Sequence, residues 1–197
     1  MKGSIGLGLL LGILAMIFVP YVFMYITFPL PFAILSDTMT RLGGGEAVFA
    51  LSDLFSTSFG VLTDETASDA LALFYNPNIL IMLSDPAVEF NFLIFLPPML
   101  SWIVGGLLAG LLTQSVKKGV ISALVFVVVE ILLYMLFGVL ANKTMDQILY
   151  LSGSMISGDG FVGGFLGQIV ITPVGFGIVG GVIGGAISKA AFGPEQI

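Results

Sequence analysis

Long apolar segments without charge constrain this chain more than any other feature of its sequence. Residues 5–28 and 90–116 carry no charged side chain over roughly 24 and 27 positions, whereas about 20 apolar residues in a helix suffice to cross a bilayer core. Segments 119–141 and 161–188 are similarly apolar. The sequence therefore predicts an all-α integral membrane protein with four transmembrane helices at these positions.

Composition supports this class and argues against most enzymes. The chain is 57% hydrophobic and 9% charged, whereas a soluble domain carries about 25% charged residues. It contains no cysteine and no histidine, which removes thiolate and imidazole ligands, nucleophiles and bases. We therefore expect no catalytic residues, no metal site and no cofactor. A net charge of −6 argues against binding nucleic acid.

The segment 29–89 is the least membrane-like part of the chain. It holds eight acidic residues against a single basic one, Arg41. Apolar side chains recur there at steps of three and four, which predicts an amphipathic helix over 48–62, and a short second helix is expected over 64–74. The loop is thus predicted to be partly helical. Its helices either lie on the membrane surface or provide a docking platform for a partner.

The basic residues predict the orientation of the chain. Four spans place Lys2, Lys117, Lys118 and Lys189 on one side of the membrane. Cytoplasmic flanks of membrane helices carry the excess of lysine and arginine. We therefore expect a protein of the cell membrane with both termini cytoplasmic and the acidic loop 29–89 facing outward.

The second and fourth spans resemble each other at a separation of about 75 residues. Pro98 corresponds to Pro173, and Thr113 corresponds to Ser188. This predicts a possible duplicated helical hairpin whose copies run in the same direction, with helix breaks at Pro97, Pro98 and Pro173 because proline removes a backbone donor. Broken spans in internal repeats are typical of transporter binding sites, although packing alone also explains proline in membrane helices.

Glycines at four-residue spacing form rows along the second and fourth spans. Such rows let helix backbones approach closely in lipid, where no hydrophobic force drives helices together. They could pack within the chain, pack against another subunit or line a pore. The residues in these rows are Gly106, Gly110, Gly177, Gly180, Gly181, Gly184 and Gly185.

Glu130 is the one residue inside a predicted span that is ordinarily charged at neutral pH. It lies about 16 Å deep at the helical rise, where a charge costs on the order of 3 kcal/mol on insertion scales. Tyr134, one turn away, is its simplest hydrogen-bond partner, and Gln168 is another candidate. Three roles remain open: a protonated or hydrogen-bonded structural residue, a contact with another subunit, and handling of a proton or cation.

These features predict a non-catalytic integral membrane subunit that packs within a larger membrane protein complex. The lipid bilayer and other membrane subunits, or further copies of the chain, are the expected partners. The alternative is a small homo-oligomeric transporter or channel that uses Glu130 and the spans broken at Pro98 and Pro173.

Overall fold

The computed structural model describes residues 5–27, 31–58, 92–142 and 170–193. This part of the chain is helical apart from short turns. Three of its helices are long and apolar enough to cross a membrane, as in an all-α membrane protein. The described helices are α1 (Ile5–Thr27), α2 (Pro31–Gly43), α3 (Ala47–Ser58), α4 (Phe92–Gly110), α5 (Val116–Leu140) and α6 (Thr172–Phe192).

The three helices of spanning length are α1, α5 and α6. The second expected span, 90–116, corresponds to α4, a 19-residue helix without a charged residue. Helix α6 continues to Phe192, beyond the expected end at residue 188. Residues 161–169 of the predicted fourth span lie outside the described residues.

The boundary between the second and third spans differs from the prediction. Helix α4 ends at Gly110 rather than at residue 116, and Lys117 and Lys118 lie in the first turn of α5 instead of closing the preceding span. Gln114 lies in the turn between α4 and α5 and adopts a positive φ of 56°. Its N–H donates to Ser188 Oγ on α6 at 2.9 Å. This long-range bond has no signature in the local sequence.

Helix α4 lies at the centre of the bundle. Helix α1 packs along one side of it and α6 along another, while α5 contacts all three. Gly8 lies against Ala109 and Gly12 against Gly105, so α1 and α4 run in opposite directions. The order of contacts likewise makes α5 antiparallel to α6. The start of α5 and the end of α6, with Lys117 and Lys189, therefore lie at the same end of the bundle.

The outer faces of the spanning helices are apolar. Exposed large side chains recur at helical spacing, and Leu132 on α5 reaches 60% exposure. The interior instead holds small and polar residues together with a few aromatic rings. This distribution is typical of helices that face lipid. On α1 the exposed residues are Ile5, Leu7, Leu10, Leu14, Phe18 and Val22, and on α6 they are Val179, Val182, Ile183, Ile187 and Phe192.

Helices α2 and α3 form a hairpin. The chain reverses at Gly44 and Gly45, and Gly45 has a φ of +96° that favours glycine. The Gly44 N–H donates to Thr40 O at 2.9 Å. A salt bridge of 3.4 Å joins Arg41 Nη1 to Asp53 Oδ2 across the hairpin. Helix α2 was not among the sequence predictions, although Phe32, Leu35, Met39 and Leu42 recur there at steps of three and four.

Helix α3 packs against the spanning helices. The Phe55 ring stacks on Phe137 of α5 with a centroid distance of 5.3 Å and an interplanar angle of 5°. Leu54 and Tyr21 of α1 are buried in one cluster. The amphipathic helix expected over 48–62 thus corresponds to α3 up to Ser58, with its apolar face on the protein itself. Residues beyond 58, and the helix expected over 64–74, lie outside the described residues.

We predict that Phe55→Ala destabilises the folded chain by about 3 kcal/mol, because a buried aromatic ring and its stacking partner lose contact. Phe49→Ala is the matched control on the same helix, since Phe49 is 49% exposed. Its effect should stay within about 0.5 kcal/mol. Thermal unfolding of both variants in detergent or lipid nanodiscs measures the difference. Equal losses would contradict the docking of α3.

Candidate functional site

The contact between α1 and α4 is closed by small residues. A Cβ added at Gly8 would overlap the backbone carbonyl of Ala109 on α4. A Cβ added at Gly12 would lie 3.0 Å from the carbonyl oxygen of Gly105. The Ser122 hydroxyl of α5 donates to the same Ala109 carbonyl at 2.7 Å. Three helices thus meet at Ala109.

A second face of α4 packs on α6. A Cβ at Gly106 would overlap the Gly177 carbonyl, and one at Gly110 would come within 2.8 Å of Gly181 O. Residue numbers rise together along both helices, so α4 and α6 run parallel. From the α6 side, a Cβ at Gly180 would overlap Ile103 O and one at Gly184 would overlap Leu107 O.

Helix α5 packs on α6 at the positions where the Cβ atoms of Gly177, Gly181 and Gly185 would lie. A Cβ at Gly177 would lie 2.8 Å from Val127 Cγ2, and one at Gly181 would lie 2.6 Å from Ala123 Cβ. At the end of the bundle, a Cβ at Gly185 would approach Ser115 O at 2.8 Å. The structure therefore places all seven glycines singled out from the sequence at contacts between helices of the same chain.

Hydrogen bonds close the end of the α4–α6 pair. The Thr113 hydroxyl lies 2.7 Å from Gly110 O and 3.0 Å from Ser115 O. The bond from the Gln114 N–H to Ser188 Oγ spans 74 positions in the chain, close to the separation of about 75 seen in the sequence. Thr113 and Ser188 occupy equivalent positions of the two similar segments, and both are fully buried.

The prolines occupy two different environments. Helix α4 runs from Phe92 to Gly110 through Pro97 and Pro98, so the helix break expected there is not found. Neighbouring helices and hydroxyl side chains can satisfy backbone groups that proline leaves free in a membrane helix. Pro173 instead lies in the first turn of α6, directly after the π-helical residues Val170 and Ile171. Pro98 and Pro173 are both buried.

Glu130 lies in the buried face of α5 and is 0% exposed. Tyr134, one turn further along the same face, is 3% exposed. Helix α5 runs antiparallel to α4 and pairs Phe126 with Gly105 and Ser122 with Ala109. Continuing this register by one turn brings Glu130 to the level of Ser101. Ser101 is also 0% exposed.

The register against α6 leads to the same level. Pairing of Val127 with Gly177 and of Ala123 with Gly181 places Glu130 within about one helical turn of Thr172. Thr172 is 3% exposed. We name Ser101, Glu130, Tyr134 and Thr172 the polar layer. Each of its members makes a hydrogen bond, ring contact or electrostatic interaction in the structure.

Apolar side chains enclose the polar layer. Met16 of α1 and Phe126 of α5 are 0% exposed, and Trp102 of α4 is 1% exposed. The Trp102 and Phe126 rings are tilted against each other with a centroid distance of 5.8 Å. Tyr134 belongs to one buried cluster with these three side chains, so packed aromatic and thioether groups lie beside the polar layer.

The described basic residues are distant from Glu130. Lys117 and Lys118 lie at least 12 positions before it on α5, which corresponds to about 18 Å at the helical rise. Lys189 lies near the same end of the bundle, in the last turn of α6, and Arg41 pairs with Asp53. Among the residues that the structure describes, no group of three or more histidine, cysteine or acidic side chains could hold a metal ion.

Sequence reasoning identified Glu130 and Tyr134 but not Ser101 or Thr172. Single hydroxyl residues are common in membrane helices, and only the helix register shows that these two share a level with Glu130. Gln168, considered from the sequence as another hydrogen-bond partner, lies outside the described residues.

Comparisons with known proteins add no relative. The chain matches no protein-family model, no curated protein and no solved structure. The candidate site therefore rests on its own geometry: close glycine contacts between α1, α4, α5 and α6, and the polar layer within them.

We predict that Gly184→Ala destabilises the chain by about 2 kcal/mol, because the new methyl group overlaps the Leu107 carbonyl and overpacking typically costs 1–3 kcal/mol. Gly175→Ala on the same helix is the control, since nothing lies within 4 Å of its Cβ position. Alanine favours a helix over glycine by up to about 1 kcal/mol, so this variant should be at least as stable as the parent. Thermal unfolding of both variants checks the prediction.

Proposed function

We propose that the chain crosses the cell membrane four times, with α4 as the fourth crossing helix beside α1, α5 and α6. Both termini then lie in the cytoplasm. The shared location of Lys117, Lys118 and Lys189 at one end of the bundle supports this orientation, because basic residues accumulate on cytoplasmic flanks. The α2–α3 hairpin, which packs near the opposite end of α5 through Phe137, then belongs to the outward side.

We propose further that the protein is a non-catalytic subunit of a larger membrane complex. The observation that carries this proposal is the closed interior, in which the glycine faces and Glu130 are enclosed by the chain's own helices. Close packing of glycine rows gives the protein a rigid core with an apolar exterior. A protein built this way suits a structural role better than a transport role, which requires a path for a solute through the interior.

The closed interior also changes where a partner would bind. Three contact sites were expected, namely Glu130, the glycine faces and residues 48–62, and the first two are buried within the chain. The hairpin of α2 and α3 offers exposed apolar residues instead, namely Leu42, Val48 and Phe49, beside the exposed acid Glu46. We propose this surface as the contact with another membrane subunit.

A second candidate function is a small homo-oligomeric transporter or channel. The polar layer favours it, since ionisable residues in the interior of a membrane protein often mark a path for ions or protons. The layer lies where α4, α5 and α6 meet, close to the level of Pro173. In this alternative, movement of α6 at its proline-containing first turn would open access to Glu130.

Extraction in a mild detergent followed by native mass measurement separates the two functions. We expect a defined complex with other polypeptides, released without loss of α-helical content. A pure homo-oligomer would favour the transporter or channel. A monomer throughout would contradict both candidates.

Labelling of single cysteines checks the proposed topology, because the natural chain contains no cysteine. Glu46→Cys should react with a membrane-impermeant maleimide on intact cells. Lys117→Cys and Lys189→Cys should react after permeabilisation alone. Reaction of Lys117→Cys and Lys189→Cys from opposite sides would overturn the four-span arrangement.

A further inference from the structure

Glu130 is the single acidic residue within the described lengths of α1, α4, α5 and α6. It lies ten positions before the end of α5 at Leu140, or about 15 Å along the helix axis. It is completely buried. An ionised carboxylate at this depth costs about 3 kcal/mol on insertion scales and much more in simulations of isolated helices.

The groups that could balance a negative charge can be examined element by element. In their described lengths, α4 brings no ionisable side chain to the bundle and α1 brings tyrosines alone, Tyr21 and Tyr25, which are neutral at pH 7. Helix α6 brings Lys189, at the far end. In the α2–α3 hairpin, Arg41 and Asp53 pair with each other. On α5 itself, Tyr134 is the ionisable neighbour.

The polar layer suits a neutral carboxylic acid. Ser101, Thr172 and Tyr134 carry hydroxyl groups, each able to donate one hydrogen bond and to accept others. A protonated carboxyl group has both a donor and an acceptor, so hydroxyl neighbours can satisfy it without any charge. Three separate helix registers lead to this level, those of α5 on α4, α5 on α6 and α4 on α6.

We propose that Glu130 is a proton-binding site, in which the carboxyl group holds a proton at neutral pH and the hydroxyl groups of the polar layer surround it. The ligand is the proton itself. This inference concerns the chemical state of one side chain and does not depend on the proposed subunit function.

Infrared difference spectroscopy of the full chain in lipid tests the proposal directly, because a neutral carboxylic acid and a carboxylate absorb at different wavenumbers. At pH 7 the difference between the parent and Glu130→Gln should contain the carbonyl band of one carboxylic acid, which shifts in D₂O. Glu46→Gln is the control: Glu46 is exposed, so its difference spectrum should contain a carboxylate band. Circular dichroism shows whether each variant keeps its helices.

Two further variants test the surroundings of the proton. Ser101→Ala and Thr172→Val each remove a hydroxyl group from the polar layer and should shift the Glu130 carbonyl band. Ser188→Ala is the matched control, because Ser188 is equally buried but bonds Gln114 at the end of the bundle. Its band should stay at the parent position. Equal shifts in all three variants would show that the layer has no special relation to Glu130.

Three outcomes would overturn the proposal. One is a carboxylate band in the Glu130 difference spectrum at pH 7. Another is loss of the acid band on adding Na⁺ at constant pH, which would make the site a cation site. The third is an acid band that survives in Glu130→Gln, which would assign the proton to another residue.

Discussion

The close approach of glycine backbones is the interaction on which the rest of this structure depends. Lipid tails are as apolar as leucine, so membrane helices gain little from burying apolar side chains against each other. Van der Waals contact between backbones replaces that gain where no Cβ intervenes. Helix α4 makes such contacts with α1 at Gly105 and with α6 at Gly106 and Gly110. Displacing α4 would therefore break its contacts with α1 and with α6 at the same time.

The tightness of these contacts determines what the interior can contain. With α4, α5 and α6 at glycine distance, space remains for single side chains such as Phe126 and Trp102, which fill the level next to the polar layer. Helix α3 fills the remaining gap between α1 and α5 with Leu54 and Phe55. A carboxyl group in such an interior meets hydroxyl groups and rings but little water, and this favours its neutral form.

Much of the fold was predictable because membrane insertion depends on local properties. Length and apolar character predicted α1, α5 and α6, and the three- and four-residue period predicted α3. Helix α2 was missed although its apolar residues also recur at steps of three and four, as clearly as those of α3. The continuity of α4 through Pro97 and Pro98 was also missed, since local rules for proline do not include the neighbouring helices that stabilise such a segment.

The candidate site was predictable to a smaller extent. Glu130 and the glycines were conspicuous, because a charge and a missing side chain are both unusual at those positions. Ser101 and Thr172 were not conspicuous, since their place in the polar layer depends on the packing of helices that lie far apart in sequence. The turn at the end of α4 could not be predicted from local sequence for the same reason. Its Gln114 N–H bonds to Ser188, which lies 74 positions later in the chain.

The parallel packing of α4 and α6 gives the sequence similarity of the two segments a structural meaning. The two similar helices run in the same direction and pack through glycines that are shifted by four residues: Gly106 contacts Gly177 and Gly110 contacts Gly181, whereas the offset of 75 would align them with Gly181 and Gly185. A third helix is then required to cover the groove between them. Helix α5 covers it antiparallel and carries Glu130 to the line where the two similar helices meet. The polar layer is therefore located by the pairing of α4 with α6.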